Sequence, residues 1–160
     1  MFGYSYDELA ATLERSPAAC RQLVSRANRH VGERPRRFPA TGTEGRALVE
    51  RFVAACSTGD LGGLLALLTE DVVVVSDGGG VVSAARRVIS GRDDASRFLL
   101  GVARMRPATA TAEAVTVNGG HGIVLRLAGR PWIVLAFDVT SDRIATVSQV
   151  LNPHKLQHLL

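Results

Sequence analysis

Four apolar runs separated by very short turns fill the last third of the chain, and they constrain its fold more than any other feature. The runs cover residues 109–117, 121–128, 131–139 and 144–151. The turns between them are Asn118-Gly119-Gly120, Gly129-Arg130 and Ser141-Asp142. Asn-Gly and similar pairs between alternating runs are typical of tight β-hairpins, because these residues adopt positive φ angles easily. The pattern therefore predicts three or four consecutive antiparallel strands.

The segment before these strands mixes helical and strand patterns. Residues 44–58, 61–68 and 91–105 have the apolar spacing of helices, and 71–76 and 81–89 read as a pair of strands. Helices, a strand pair and an antiparallel meander predict an α+β domain, in which a cone-shaped, curved antiparallel sheet is wrapped on one side by three helices. A sheet of this kind generally encloses a pocket.

A stretch rich in proline and glycine precedes this domain. Residues 32–43 contain Pro35 and Pro39 and have no apolar period. Proline interrupts helices, so the stretch reads as a linker. We therefore predict a helical piece at 1–31, a linker at 32–43 and the α+β domain at 44–160.

The helical piece is predicted to be two helices joined by a tight turn. Ser5 or Asp7 can cap the first helix, and Ser16-Pro17 is a typical start for the second. The second helix has an apolar face formed by Cys20, Leu23, Val24 and Ala27. Its opposite face carries Arg21, Gln22, Ser25, Arg26 and Arg29. This is the pattern of a helix-turn-helix, whose second helix enters the DNA major groove.

Positive charge is concentrated in the same part of the chain. Seven arginines and a single acid, Glu33, lie between residues 15 and 37, whereas residues 44–160 carry twelve basic and eleven acidic side chains. A basic segment on a nearly neutral body indicates a polyanionic partner for that segment alone. A solvated arginine-rich arm is the alternative.

The helix pair resembles a known DNA-binding segment. Gly3-Tyr4-Ser5-Tyr6-Asp7-Glu8-Leu9-Ala10, Ser16-Pro17-Ala18-Ala19-Cys20-Arg21-Gln22-Leu23 and Ser25-Arg26-Ala27 are similar to the end of region 4 of extracytoplasmic-function (ECF) sigma factors. In that family these helices read the −35 promoter element. The resemblance implies DNA binding by Ser16, Ala18, Arg21, Gln22, Ser25 and Arg26, and arginine and glutamine suit bidentate base contacts. The alternative is an amphipathic helix packed on a neighbour. Since two short helices bury little surface and the family has a further domain upstream, we expect the natural start to precede Met1.

Two motifs in the long segment resemble a second family. The pattern of residues 44–160 is similar to the nuclear-transport-factor-2-like fold and its SnoaL-like branch. Val75-Ser76-Asp77-Gly78-Gly79-Gly80, followed by Arg86-Arg87 and Gly91, resembles a loop found where this domain is fused to a sigma factor, and Asn152-Pro153-His154-Lys155-Leu156 resembles its Asn-Pro-Asp-Lys-Leu signature. Val81 stands where the family commonly has a lysine, and His154 stands where it commonly has an aspartate. These two departures put charge-mediated contacts at positions 81 and 154 in question.

That resemblance implies functions for both motifs. It assigns a regulatory loop to Asp77, Gly78, Gly79 and Gly80, and a C-terminal motif to Asn152, Pro153, Lys155 and Leu156, in a domain that regulates the sigma factor in place of a separate anti-sigma protein. From the residues alone, Asp77 and the glycines fit a hairpin turn better than a phosphate or metal loop. Residues 155–160 fit an amphipathic tail that docks on a partner.

A catalytic site is the weaker expectation. Strand alternation places Trp132, Val134, Ala136 and Asp138 on one face, so that His121 and Asp138 could meet in a pocket beside Trp132 and act as an acid–base pair. Both residues, however, lie at strand ends, where such side chains are commonly solvated. The sequence has no nucleophile elbow, zinc-ligand spacing or nucleotide-binding loop, and His154 and His158 have no third ligand in view. We therefore predict no catalytic residue, no metal and no cofactor.

Together these features predict a cytoplasmic regulator of transcription. The expected partners are promoter DNA, the RNA polymerase core and the upstream sigma domain of the same protein. The alternatives are a small polyketide-cyclase-like enzyme or ligand-binding protein, and a scaffold that forms a homodimer through its sheet. The two cysteines, Cys20 and Cys56, lie at apolar helix positions, and no apolar run approaches the roughly 18–20 residues of a membrane span, so the cytoplasm is favoured and a membrane is not.

Overall fold

The chain divides into two compact units, residues 1–37 and 38–160. The structure is a computed structural model that describes residues 5–33 and 43–159. Most of the predicted linker lies outside the described residues. Its two ends are helical, because one helix runs to Glu33 and the next begins at Thr43.

Helix α1 (Tyr6–Leu13) begins at the predicted Ser5 cap. The Ser5 hydroxyl accepts a hydrogen bond from the Glu8 N–H at 3.2 Å, and the Ser5 N–H donates to Glu8 Oε2 at 2.7 Å. This capping box satisfies two backbone donors that the helix start leaves unpaired. Glu14 then ends the helix in the left-handed conformation with φ 51°.

Helix α2 (Pro17–Glu33) begins at the predicted Ser16-Pro17 signal. The Ser16 hydroxyl accepts from the Ala19 N–H at 3.2 Å, and Cys20 is buried, as is Ala10 on α1. The predicted burial of Leu23 is wrong, since its side chain is 37% exposed. With only eight residues, α1 covers a short stretch of α2.

Three helices of the second unit pack on one face of its sheet. They are α3 (Thr43–Thr58), α4 (Leu61–Leu67) and α5 (Arg92–Arg104). Asp60 caps α4 through a hydrogen bond that its Oδ1 accepts from the Gly63 N–H at 2.9 Å. Phe52 of α3 meets Phe137 of the sheet edge-to-face, with 4.9 Å between ring centroids. These helices and the sheet enclose the main apolar core.

The sheet contains six strands within the described residues. They are β1 (Leu68–Asp77), β2 (Ile89–Ser90), β3 (Thr111–Val117), β4 (Gly120–Leu127), β5 (Arg130–Thr140) and β6 (Arg143–Val150). Their spatial order is β2-β1-β6-β5-β4-β3. The hairpins β3–β4, β4–β5 and β5–β6 are antiparallel, as predicted. The prediction of a wholly antiparallel sheet is wrong, because β1 pairs with β6 in parallel. The sheet is therefore mixed.

The predicted strand at 81–89 is largely a loop. Only Ile89 and Ser90 pair with β1, opposite Val74 and Val73. The N–H groups of Val81 and Val82 both donate to the Gly78 carbonyl, so the chain turns away from the ladder directly after β1. The loop that follows, residues 81–88, exposes all three of its valines to solvent, namely Val81, Val82 and Val88.

The opposite face of the sheet is covered by the chain end. Helix α6 (Pro153–Leu156) and a 3₁₀ turn (Gln157–Leu159) follow β6, and buried Leu156 packs with Val124 and Val134. The prediction that Leu156 serves a partner is therefore wrong, because it fills a cluster of its own domain. No helix in the described part of the chain is long and apolar enough to cross a bilayer.

Candidate functional site

The parallel pairing of β1 with β6 brings the two predicted motifs together. Asp77 ends β1 and is paired with Val150, the last residue of β6. The N–H groups of Leu151 and Asn152 donate to the Asp77 carbonyl oxygen at 2.8 and 3.0 Å. Lys155 Nζ lies 2.7 Å from Asp77 Oδ2. We call the two segments joined in this way, residues 77–80 and 152–156, the clasp.

Gly79 permits the close approach within the clasp. Its N–H donates to Asp77 Oδ1 at 2.9 Å, and its φ of +60° is one that residues with a side chain rarely adopt. A Cβ atom at this position would overlap the side-chain amide of Asn152. Gly80 also has a positive φ, +72°, but a Cβ there would meet open space.

Asn152 anchors the C-terminal half of the clasp. Its side chain is buried, and its Oδ1 accepts from the His154 N–H at 3.0 Å, which caps α6. Pro153 occupies the first turn of that helix, and His154 is exposed to solvent. The motif thus fixes the chain end on its own domain, with Lys155 directed to Asp77.

The contact with Lys155 lowers the pKa of the Asp77 carboxyl, and the Gly79 N–H adds to this effect. A lowered pKa means that the contact stabilises the fold above the ordinary aspartate pKa of about 3.9 and is lost as the pH falls through the folded-state value. In a Lys155→Met variant we expect the Asp77 pKa to rise toward its ordinary value, which a carboxyl-carbon NMR titration measures. Arg97→Met, which removes an exposed charge on α5, should leave it unchanged. An unaltered Asp77 titration in Lys155→Met would mean that the ion pair does not form.

A cavity of about 440 Å³ lies between α3, α5 and the helix-facing side of the sheet. Most of its lining is apolar and includes Phe52, Val53, Leu99, Ile123, Leu125 and Leu135. Its polar groups include Cys56, Arg106 and Gln149. The volume falls within the roughly 300–1,000 Å³ of small-molecule sites in proteins.

A β-bulge turns Trp132 into this cavity. Leu125 pairs with Ile133 and Arg126 pairs with Pro131, so Trp132 is an extra residue on β5. Trp132 and Ile133 consequently both line the cavity. The predicted face shared by Trp132 and Val134 is wrong for this reason, since Val134 packs on the other side of the sheet.

His121 lies on β4, and Asp138 lies on β5, the strand that also carries Trp132. His121 lies two residues before Ile123, on the face that lines the cavity, whereas Asp138 lies between the core residues Phe137 and Val139 and so faces the other way. Neither belongs to the described lining of the cavity. The described lining of the cavity therefore gives no support to the predicted acid–base pair, which stays a prediction.

The chemistry of the cavity favours binding over acid–base catalysis. Burial raises the pKa of the Cys56 thiol to about 11, against the opposing charge of Arg106, so the thiol is protonated and weakly nucleophilic at neutral pH. The lining residues that the structure describes include no carboxylate and no imidazole. Sequence reasoning did not single out Arg106 or Gln149. The sequence did contain a signal for Gln149, because this polar residue lies two positions after Val147, on the face of β6 that packs into the core.

The predicted DNA-binding residues lie together on α2 and on Ser16, which precedes it. Ser16, Ala18, Arg21, Gln22, Ser25 and Arg26 are all exposed, and their spacing places most of them on one helical face. The Arg21 guanidinium lies 5.7 Å from the centroid of the Tyr6 ring, within the range of a cation–π contact. The first turn of α2 carries no acidic residue. This face is therefore basic and accessible within its unit.

Sequence comparisons relate the chain to two groups of proteins. The SnoaL-like domain family matches residues 49–146. The ECF RNA polymerase sigma factor SigJ of Mycobacterium tuberculosis is 31% identical over 166 residues, which cover 96% of this chain and 53% of SigJ. The probable ECF RNA polymerase sigma factor SigI of the same species is 28% identical and covers 99% of this chain and 52% of SigI. The chain thus spans about half the length of these curated relatives.

Solved structures agree with these matches. The crystal structure of SigJ aligns with 96% of this chain and 55% of its own at a TM-score of 0.67 and 28% identity. An NTF2-like protein from Burkholderia xenovorans LB400 aligns with 75% of this chain and 98% of its own at a TM-score of 0.52 and 20% identity, which shows the shared fold. The predicted resemblance to ECF sigma factors that carry a SnoaL-like domain is confirmed. With its mixed six-stranded sheet and the match across residues 49–146, the chain belongs to the SnoaL-like family.

Proposed function

We propose that this chain is the C-terminal part of an ECF RNA polymerase sigma factor, in which the first unit contacts the −35 promoter element and the SnoaL-like unit regulates that activity. One observation carries the proposal. The similarity to SigJ leaves out only 4% of the chain, far less than the 37 residues of the first unit. The relationship therefore extends beyond the SnoaL-like domain into the helix pair.

The exposed face of α2 supports the DNA-binding part of the proposal. Arg21, Gln22 and Arg26 are side chains that pair bidentately with guanine and adenine edges in the major groove. The start of α2, with Ser16 as its cap and no acid in its first turn, provides the positive helix end that phosphate groups favour. The face thus combines groups for base contacts with groups for phosphate contacts.

The test of this part is selection of bound duplexes from a random-sequence DNA library by the full chain. We expect one enriched motif, and Arg26→Ala should weaken binding to it by about 1–3 kcal/mol, or roughly 5- to 150-fold, if the side chain contacts a base. Affinity should also fall steeply as salt rises, because phosphate contacts release counterions. Fluorescence anisotropy at several salt concentrations measures both effects.

Arg97→Ala is the matched control for this experiment. It removes the same charge from an exposed position on α5 in the second unit and should leave DNA affinity unchanged. Failure of the selection to enrich any motif would contradict DNA recognition by this unit. Equal losses of DNA affinity in Arg26→Ala and Arg97→Ala would mean that the chain binds DNA by general charge attraction and not by base recognition.

The clasp and its neighbouring loop support the regulatory part of the proposal. The loop at 81–88 leaves the clasp at Gly80 and exposes Val81, Val82 and Val88 together with Arg86 and Arg87. Exposed apolar side chains flanked by charges are typical of protein contact sites. In our proposal this loop contacts the upstream sigma domain of the same protein, and the clasp holds the loop in position for that contact.

A further inference from the structure

The cavity described above has two polar side chains, Gln149 and Arg106, that could anchor a ligand. Gln149 is 6% exposed, and its Oε1 accepts a hydrogen bond from the Ser76 hydroxyl at 3.0 Å. This contact uses the acceptor of the amide and leaves its NH₂ group as a donor. Because Gln149 also lines the cavity, this NH₂ group can donate a hydrogen bond to a ligand oxygen there.

Arg106 supplies the second anchor. Its side chain is half-buried and lines the cavity, and in the described part of the chain no carboxylate lies within 4.0 Å of it. Its charge acts on the Cys56 thiol against the effect of burial, so its influence reaches the cavity interior. An arginine that borders an apolar cavity and lacks an acidic partner is suited to bind the carboxylate of a ligand.

The remaining lining defines the body of such a ligand. Phe52, Leu99 and Trp132 present aromatic and aliphatic surfaces, which favour a flat apolar group. The volume of about 440 Å³ lies in the lower part of the roughly 300–1,000 Å³ range of small-molecule sites, so the ligand is small.

We propose that this cavity binds a small aromatic carboxylic acid as its anion. Its ring lies among Phe52, Leu99 and Trp132, its carboxylate pairs with Arg106, and a second oxygen accepts from Gln149. The site shares no residue with the clasp or with the DNA-binding face of α2, so its test stands independently of the proposed sigma-factor function.

The test uses 4-oxo-4-phenylbutyrate, which has a ring, a ketone and a carboxylate, and its neutral counterpart 4-hydroxy-1-phenylbutan-1-one. Calorimetry on the full chain should show that the anion binds about tenfold more tightly or better, as expected for a hydrogen bond between charged groups. Trp132 is the single tryptophan of the chain, so saturable quenching of its emission by the anion should report occupation of the cavity.

Arg106→Gln should remove the preference for the anion while it leaves the weak binding of the neutral compound, and Arg97→Gln should retain the preference. Thermal unfolding of both variants checks that the fold is intact. The proposal is overturned if neither compound binds at millimolar concentration, if both bind equally, or if Arg106→Gln keeps the preference. Calorimetric binding without a Trp132 response would place the ligand elsewhere and would also overturn it.

Discussion

Replacement of Phe52 by alanine is expected to lower the free energy of unfolding by about 3–5 kcal/mol, the range for loss of a buried aromatic side chain. Phe52 is 3% exposed, and its ring packs edge-to-face on Phe137. It also borders the cavity, so truncation would enlarge an existing void and leave its neighbours without packing partners. Urea-induced unfolding of the full chain, followed by circular dichroism, measures the change.

Val88→Ala is the control for Phe52→Ala. Val88 is 58% exposed in the loop at 81–88, and surface substitutions of this kind usually change stability by less than about 0.5 kcal/mol. The pair of variants separates loss of core packing from a general effect of a smaller side chain. A change in Phe52→Ala no larger than that in Val88→Ala would show that α3 does not pack on β5.

The second large effect is expected at Gly79. Alanine at this position must adopt a left-handed conformation that costs about 1–2 kcal/mol, and its Cβ would displace the Asn152 side chain that caps α6. Loss of a cap costs a further ~0.5–2 kcal/mol. We therefore expect Gly79→Ala to lower the free energy of unfolding by about 2–4 kcal/mol and to open the clasp.

Gly80→Ala is a matched control, because Gly80 shares the positive φ but has open space around it. Only the conformational cost of about 1–2 kcal/mol applies there. The difference between the two variants in denaturant unfolding measures the contact with Asn152. Equal destabilisation would contradict a tight clasp. If the clasp positions the regulatory loop, Gly79→Ala should also alter the activity of the whole sigma factor more than Gly80→Ala does.

The hairpins were predictable because their turns are encoded locally. Positive φ angles occur at Asn118 and Gly119, at Ala128 and Gly129, and at Ser141 and Asp142. Glycine, asparagine and aspartate adopt these angles at low cost, so the sequence pattern located each turn to within about a residue. The starts of α1 and α2 were predictable for the same reason, since Ser5 and Ser16 act on donors only three residues away.

Features that depend on distant segments were not predictable from local patterns. Nothing near the valine run of β1 indicates a parallel partner more than sixty residues later in β6. The bulge at Trp132 directly follows Pro131, but a proline also fits the start of a strand, so the sequence did not reveal that Trp132 and Val134 lie on opposite faces of the sheet. The exposed loop at 81–88 resembled a strand in composition, but the hydrogen bonds to Gly78 had already turned the chain.

The candidate site was predicted in part. Resemblance drew attention to Asp77, the glycines and the Asn152-Pro153-His154-Lys155-Leu156 motif, but it gave no indication that Lys155 and Asp77 contact each other or that Asn152 packs on Gly79. Those contacts arise from the β1–β6 pairing. Arg106 and Gln149 were not predicted as cavity residues, because an arginine after a helix and a single glutamine in a strand are common in any sequence. Only the packing of the domain brings both side chains to one cavity.

The most direct test of the sigma-factor assignment is recovery of the natural protein from its source cells with an antibody against residues 44–160, followed by identification of the proteins bound to it. Our account predicts that the RNA polymerase core subunits are recovered with it in comparable molar amounts. It also predicts that a matched antibody to an unrelated abundant protein recovers none. Recovery of the antigen in quantity without RNA polymerase would contradict the assignment and would leave a ligand-binding protein of the SnoaL-like family.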